Sequence, residues 1–304
     1  MWRMETDLLT ADQDVLPSVA SSTVRTVNDI TMHVVTGGQT DAPLVVLLHG
    51  FPECWYTWRH QLEALVDAGY RVVVPDQRGY NLSEKPQSVR AYRLRELARD
   101  VVDLVATEDR ASAHVVGHDW GGVVAWHLAL RHPEVVDSLA VVNAPHPTAY
   151  RQQLLSNPEQ LRRSWYAGAV QLPWLPEELL RRSNFAFLER AVRETAAPGT
   201  YTEEAMAYYR GAWSRPGALT AMLNWYRAVL RYPPTYPERR VRVPTLVCWG
   251  DADVALVPEL AIDSYHSCSD ARLEFLPGTS HWVPHERPEH TTTLLYEHLG
   301  RSAD

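Results

Sequence analysis

The sequence predicts an α/β fold: a mostly parallel sheet of eight strands flanked by helices, interrupted by one all-helical insertion. Three observations carry this. Short apolar runs alternate with amphipathic stretches of helical period, the rhythm of β-α-β units. One such run, Ala113–Val116, passes through Gly117-His118-Asp119-Trp120-Gly121-Gly122 directly into a helical pattern, with no loop between. Strand-like runs then vanish between about residues 147 and 240 and resume afterwards.

Residues 1–22 are polar and poorly periodic, and are expected over the surface. Thr23–Val27 and Thr31–Thr36 alternate around Asn28-Asp29, which predicts a hairpin. Leu44–Leu48 is continuously apolar, as a strand buried on both faces must be, and ends in His49-Gly50-Phe51-Pro52-Glu53. Trp58, Leu62, Leu65 and Val66 follow at helical spacing. Arg71–Val74 is the next buried strand, closed by Asp76-Gln77-Arg78-Gly79-Tyr80. Leu94, Leu97, Val101, Leu104 and Val105 mark one face of a helix. After the 113–122 turn come a helix over 123–130 and the strand Leu139–Val142, which stops at Asn143-Ala144-Pro145-His146-Pro147. Residues 147–240, rich in Trp, Tyr, Leu and Arg and broken by prolines, form the helical insertion. The insertion follows the sixth strand, and its place makes it a cap over the turn at Asp119. The core then comprises 1–146 and 241–304. Strand Thr245–Trp249, helix 257–265, strand Arg272–Leu276 and helix 288–299 complete the core.

The chain has 304 residues, 45% hydrophobic and 22% charged, the composition of an ordinary globular protein. A formal charge of −8 argues against binding nucleic acid or an anionic membrane through a basic face. No run of about 18 apolar residues suggests a membrane span. The acidic N-terminus lacks the apolar core of a signal peptide. Cys54, Cys248 and Cys268 make no zinc spacing, and an odd count fits reduced thiols in a cytoplasm. No metal and no cofactor is expected.

The chemistry is expected at strand C-terminal ends, where open α/β sheets collect functional groups. A strand-to-helix elbow holds its middle residue in the open, and on such sheets the order nucleophile, acid, histidine runs along the chain. Asp119 is the candidate nucleophile, Asp253 the acid after the seventh strand, and His281 the base after the eighth. Asp251, beside Gly250, is better suited to shaping a turn. His285 sits at a helix start, and His118 should point away from the nucleophile's side. A carboxylate attacking an sp3 carbon gives an ester whose carbonyl belongs to the enzyme, and water activated by His281 can then cleave it. Attack on an acyl carbon would give an anhydride, so esterases and peptidases are disfavoured. The substrate must offer an electrophilic carbon with a leaving group, an epoxide or an alkyl halide. The backbone N–H groups of Trp120 and Phe51 are the expected oxyanion donors. With the following helix's N-terminus they should keep Asp119 ionised.

Four segments together, His-Gly-Phe-Pro-Glu, Gly-His-Asp-Trp-Gly-Gly, Asn-Ala-Pro-His-Pro and Ser-His-Trp-Val, resemble the α/β-hydrolase-fold epoxide hydrolases. The resemblance runs from about residue 25 to the C-terminus, without the extra phosphatase domain of some animal relatives. It implies that two cap tyrosines hold the epoxide oxygen and supply its proton. One precedes Gln-x-Pro and the other lies in Asn-Trp-Tyr-Arg, which here are Tyr166 before Gln171-Leu172-Pro173 and Tyr226 in Asn224–Arg227. The implied partners are a small apolar epoxide and water, with the enzyme a monomer or homodimer. Haloalkane dehalogenases share the fold and the aspartate but often carry Asn where this chain has Phe51. Haloacetate-type enzymes carry Arg where it has Trp120. Dehalogenation is therefore the alternative. Relatives read Gly where this chain has Asn81, a residue that tolerates positive φ. Trp165, Trp174, Trp213 and Trp225 suggest an apolar cavity, although packing explains them equally well.

Overall fold

A computed structural model describes residues 15 to 301; of the segment 1–22, residues 1–14 lie outside that range. Eight strands form one sheet: β1 (Ala20–Val27), β2 (Ile30–Gly37), β3 (Leu44–Leu48), β4 (Arg71–Pro75), β5 (Ala113–His118), β6 (Val136–Val142), β7 (Thr245–Gly250) and β8 (Ala271–Leu276). Their order is β1-β2-β4-β3-β5-β6-β7-β8. The β1/β2 and β2/β4 pairs are antiparallel and every other pair is parallel. Helices α1 (Arg59–Asp67), α2 (Leu94–Ala106) and α3 (Trp120–Arg131) follow β3, β4 and β5. Between β6 and β7 come α4 (Pro147–Ser156), α5 (Pro158–Arg163), α6 (Trp165–Ala169), α7 (Leu175–Thr195), α8 (Glu203–Ser214) and α9 (Ala218–Arg231), with no strand among them. α10 (Glu259–His266) links β7 to β8, and α11 (Val283–Glu286) and α12 (Pro288–Arg301) close the fold. α7 is interrupted at Arg182–Phe185, where the backbone leaves helical geometry.

The hairpin falls where the sequence places it. Val27 pairs with Ile30, and Asn28 and Asp29 have φ of 42° and 62°, the double positive φ of a tight two-residue turn. β1 begins three residues earlier than the alternation indicates, because Ala20, Ser21 and Ser22 pair with β2 through the backbone ladder, and Ser21 and Ser22 also reach Thr36 and His33 with their hydroxyls.

Period-2 alternation distributes the central strands between two apolar layers. On β3, Val46 and Leu48 face one layer while Val45 and Leu47 face the other; β6 divides Leu139 and Val141 from Ala140 and Val142 likewise. The first layer is completed by Leu97, Val101 and Leu104 of α2 and Val124 and Leu128 of α3. Leu62 and Leu65 of α1 and Leu294, Leu295 and Leu299 of α12 complete the second. Burial on both faces explains why these strands are continuously apolar, and it aligns their C-terminal ends along one edge.

The β5–α3 turn is set by close approach more than by glycine freedom. Gly117, Gly121 and Gly122 do not have positive φ. A Cβ on Gly121 would stand 2.2 Å from the Leu48 carbonyl oxygen, one on Gly117 2.4 Å from the Gly121 oxygen, and one on Gly122 2.2 Å from Ala144 Cβ. The glycines let α3 start directly against β3, and the unusual backbone falls on Asp119, with φ 49° and ψ −120°. That conformation is strained for a residue with a Cβ. Gly121→Ala is therefore expected to cost about 3 kcal/mol of stability by overpacking. Gly211→Ala, inside α8 with open space at its Cβ, should stabilise by about 0.5–1 kcal/mol. Urea midpoints of the two variants check both signs.

Candidate active site

Three strand ends bring the first set of side chains together. Asp119 follows β5, Asp253 follows β7, and His281 follows β8. The His281 ring contacts Asp253 Oδ2 at 2.7 Å through Nδ1 and Asp119 Oδ2 at 3.5 Å through Nε2. The Phe51 N–H, from the loop after β3, donates to Asp119 Oδ1 at 2.7 Å. Trp120 is the first residue of α3, so its N–H is among the donors a helix leaves without an internal acceptor.

Asp253 is buried, and each of its oxygens is occupied. Oδ1 accepts from the Ala255 and Leu256 amides at 2.7 and 3.0 Å, and Oδ2 accepts from Asn143 Nδ2 at 2.7 Å besides its contact with His281. Burial raises this carboxyl, but the His281 charge, the Asn143 amide and the Ala255 N–H outweigh it and hold it below the usual carboxylate range. Burial likewise works to lower His281, yet the negative charges of Asp253 and Asp119 carry it well above its ordinary value. Asn143, at the C-terminal end of β6 with φ 44°, also accepts from the Gly250 N–H at 2.9 Å. It ties the β7 turn to Asp253 and was not singled out from the sequence. A polar residue directly after the apolar run 139–142 was the available signal.

The two rivals lie elsewhere. Asp251 Oδ1 accepts from the Gly278 N–H at 2.7 Å, which shapes the turn between β8 and the His281 loop. His285 contacts Glu53 Oε1 at 2.8 Å, and His118 contacts Glu53 Oε2 at 2.8 Å. Glu53 also accepts from the Gly50 N–H at 3.1 Å. The other His118 nitrogen faces the His281 carbonyl oxygen at 2.9 Å. Burial acts to raise Glu53, and the charges and hydrogen bonds of His118 and His285 bring it well below its normal value. His285 is itself lowered by burial.

Asn81 carries the loop after β4. Its φ is 36°, its amide donates to Asp76 Oδ2 at 2.9 Å, and its oxygen accepts from Arg215 Nε at 3.0 Å. The side chain thus bonds β4's loop to the helical insertion, which a glycine would not do.

Above Asp119 is a cavity of about 1260 Å³, lined on the sheet side by Asp119, Trp120, Val123 and Asn143 and on the other by Tyr150, Tyr166, Tyr226 and Tyr236. Tyr226 stands edge-on to Trp120 at 4.8 Å and to Phe51 at 5.4 Å between ring centroids, and Tyr166 is 6.0 Å from Tyr226. Burial, then neighbouring Tyr150 and Asp119, raise Tyr166 well above the usual phenol value; burial and Asp119 do the same to Tyr226. Both therefore remain O–H donors at neutral pH. Tyr150 and Tyr236 line the cavity as well. None of the four tryptophans singled out from the sequence lines it. Trp213 and Trp225 are buried, donating to the carbonyls of Pro52 and Arg78 at 2.6 and 3.0 Å; Trp165 and Trp174 are exposed. Indole donors thus anchor the insertion to the core loops, and leucine, valine, proline and tyrosine make the cavity apolar.

An acidic residue at the elbow, a buried His–Asp pair and a covering helical insertion define a hydrolase class in which a carboxylate can replace the usual serine. Residues 43–288 match the α/β hydrolase fold family. The chain belongs to that family, and within it to the epoxide hydrolases. It is 33% identical over 307 residues to epoxide hydrolase A of Mycobacterium tuberculosis, covering 90% of this chain and 95% of that one. It is 44% identical over 276 residues to the AB hydrolase superfamily protein YfhM of Bacillus subtilis, covering 90% and 95%. A crystal structure of a variant epoxide hydrolase from Bacillus megaterium superposes with a TM-score of 0.84 at 29% identity, covering 91% and 99% of the two chains. Among the described residues no helix is long and apolar enough to cross a membrane.

Replacing Asn143 with Ala removes one donor from buried Asp253 and the acceptor of the Gly250 N–H, a loss expected to cost about 1–3 kcal/mol. Asp253 is depressed when folded, so its stabilisation is present above the unfolded-state pKa and is lost as pH falls through the folded one. Without the Asn143 donor the folded value lies nearer the unfolded one, so that loss should be smaller and complete at higher pH in acid-denaturation curves.

Proposed function

We propose that the protein hydrolyses apolar epoxides to vicinal diols through an ester formed on Asp119. One observation carries the reading: the elbow presents a carboxylate to an apolar cavity whose opposite wall holds two protonated phenols. In the first half, an Asp119 oxygen attacks a ring carbon and the carbon–oxygen bond breaks. Its electron pair goes to the epoxide oxygen, which takes a proton from Tyr166 or Tyr226. An alkoxide is a poor leaving group, so a positioned general acid matters here. In the second half, His281 takes a proton from water and the hydroxide attacks the Asp119 carbonyl carbon. The N–H groups of Phe51 and Trp120 stabilise the resulting oxyanion. Collapse releases the diol, restores the carboxylate, and the proton on His281 returns to the phenolate.

The electrostatics support this order. Negative Asp119 is one of the charges that raise His281. Esterification neutralises Asp119, so His281 loses part of its hold on a proton and becomes a base at the step that needs one. Asp253, held low and fully hydrogen-bonded, keeps the ring oriented and opposes the charge that forms on it.

Repeated turnover in oxygen-18 water should place label in the Asp119 carboxylate; label confined to the diol throughout overturns the covalent scheme. His281→Gln should trap the ester, visible as substrate mass added to the intact protein. The double variant Tyr166→Phe/Tyr226→Phe should lower kcat by about 10²–10⁴, with the loss confined to ester formation in single-turnover kinetics. The pKa of His281, followed by its ring proton signals, should fall when Asp119 is replaced by Asn, since one negative neighbour has gone; in the unsubstituted enzyme, where esterification likewise removes that charge, hydrolysis of the ester should accelerate as pH rises through that lower value.

A further inference from the structure

The net charge of −8 hides a division. Residues 147–240 hold 13 arginines and eight glutamates, with no lysine or aspartate, for a charge of +5; the remainder of the chain therefore carries −13. The helical insertion is a cationic body on an anionic one, and the cavity above Asp119 opens through it.

The rim of that cavity is unusual for a surface facing only water. Leu155 on α4, Leu161 on α5 and Leu230 on α9 all line the cavity, yet they are 80%, 60% and 57% exposed. A single exposed leucine means nothing. Three from three helices around one opening form an apolar ring whose interior continues as an apolar channel. Arg151 and Arg239 line the same cavity. Among the described residues neither guanidinium has a hydrogen bond or ion pair, whereas Arg162, Arg163, Arg190, Arg193 and Arg210 of the insertion are ion-paired. The nearby Glu238 carboxylate is taken by Arg242 and by the amides of Arg239 and Arg240. Apart from Asp119 in its depth, the cavity has no acidic lining residue.

We propose that this mouth docks on an anionic lipid surface, so that an apolar epoxide dissolved in the lipid enters the cavity without crossing water. Exposed leucines beside free arginines are the composition of an interfacial contact: the apolar side chains enter the acyl boundary while the cations meet lipid phosphates. The insertion that carries the mouth is the cationic part of the chain, so an anionic surface attracts that part rather than the acidic remainder. A second copy on the same face would set +5 against +5. The expectation drawn from total charge, that no anionic membrane is bound, is thus revised by how the charge is distributed.

The inference rests on the proposed function only for the identity of the molecule that enters; binding to lipid needs no turnover. The full chain is co-sedimented at low salt with vesicles of phosphatidylcholine alone and with about 30% phosphatidylglycerol. Binding to the anionic vesicles should exceed binding to the neutral ones by about tenfold or more and should fall as salt is added. Arg151→Glu/Arg239→Glu should lose that excess, and Leu155→Ser/Leu161→Ser should weaken binding severalfold, with circular dichroism and thermal melting confirming that both are folded. Equal or absent binding to the two vesicles, or folded variants that bind as the parent does, overturns the proposal. So does a concentration-dependent dimer in sedimentation velocity that the leucine variant abolishes, because a second copy then occupies the face. Failure to hydrolyse any epoxide, in water or in vesicles, would count against the proposed function and leave the vesicle result standing.

Discussion

The start of α3 against the end of β3 is the contact on which the rest of the site depends. With no Cβ on Gly121, the helix begins so close to β3 that an added Cβ would stand 2.2 Å from the Leu48 carbonyl oxygen. The chain between β5 and α3 is then a single residue long, and Asp119 must adopt positive φ to make the connection. Its side chain has one direction left, toward the Phe51 amide and His281. A strained backbone of this kind persists only where surrounding packing over-determines it. Here the packing consists of two apolar layers, and the cost of the turn is spread over the whole sheet.

Behind Asp119 lies a polar core that a globular interior does not tolerate unless every member is satisfied. Glu53 accepts from His118, His285 and Gly50, and His118 spans from Glu53 to the carbonyl of His281. A second buried carboxylate, Asp76, contacts His33 at 2.7 Å and accepts from the Trp55 amide and Asn81. The imidazoles near these carboxylates explain why burial does not leave them neutral. These networks join loops after β3, β4, β5 and β8, so the residues meeting at Asp119 are held by groups that do not themselves face the cavity. Positioning of a reacting group to a fraction of an ångström needs such support.

The insertion is held differently. Its contacts with the core loops include indole and phenol groups, as in the Trp213, Trp225 and Trp55–Tyr208 hydrogen bonds. Large rings supply apolar area while their single polar atom reaches a partner across the boundary. The cavity side is left to aliphatic residues and tyrosines. Separating anchor residues from lining residues lets cavity shape vary without loosening the attachment, and it leaves the cationic rim free of a structural task.

The sequence by itself determined the strands, their order of function along the chain, and three of the groups that meet. Local rules suffice for these: apolar runs buried on two faces, a glycine-flanked elbow, and polar residues at strand ends. It also showed that aspartate rather than serine stands at the elbow. Only the tertiary structure decided which glycines serve close approach rather than turn freedom, because that depends on β3 lying under α3. It likewise revealed Asn143 as Asp253's donor across two strands. The tryptophans were open between packing and lining a cavity, because composition records how many rings the insertion has and not which way they face. The charge division was present in the sequence throughout, but its meaning required a cavity mouth to place it on, since total charge has no direction and a surface does.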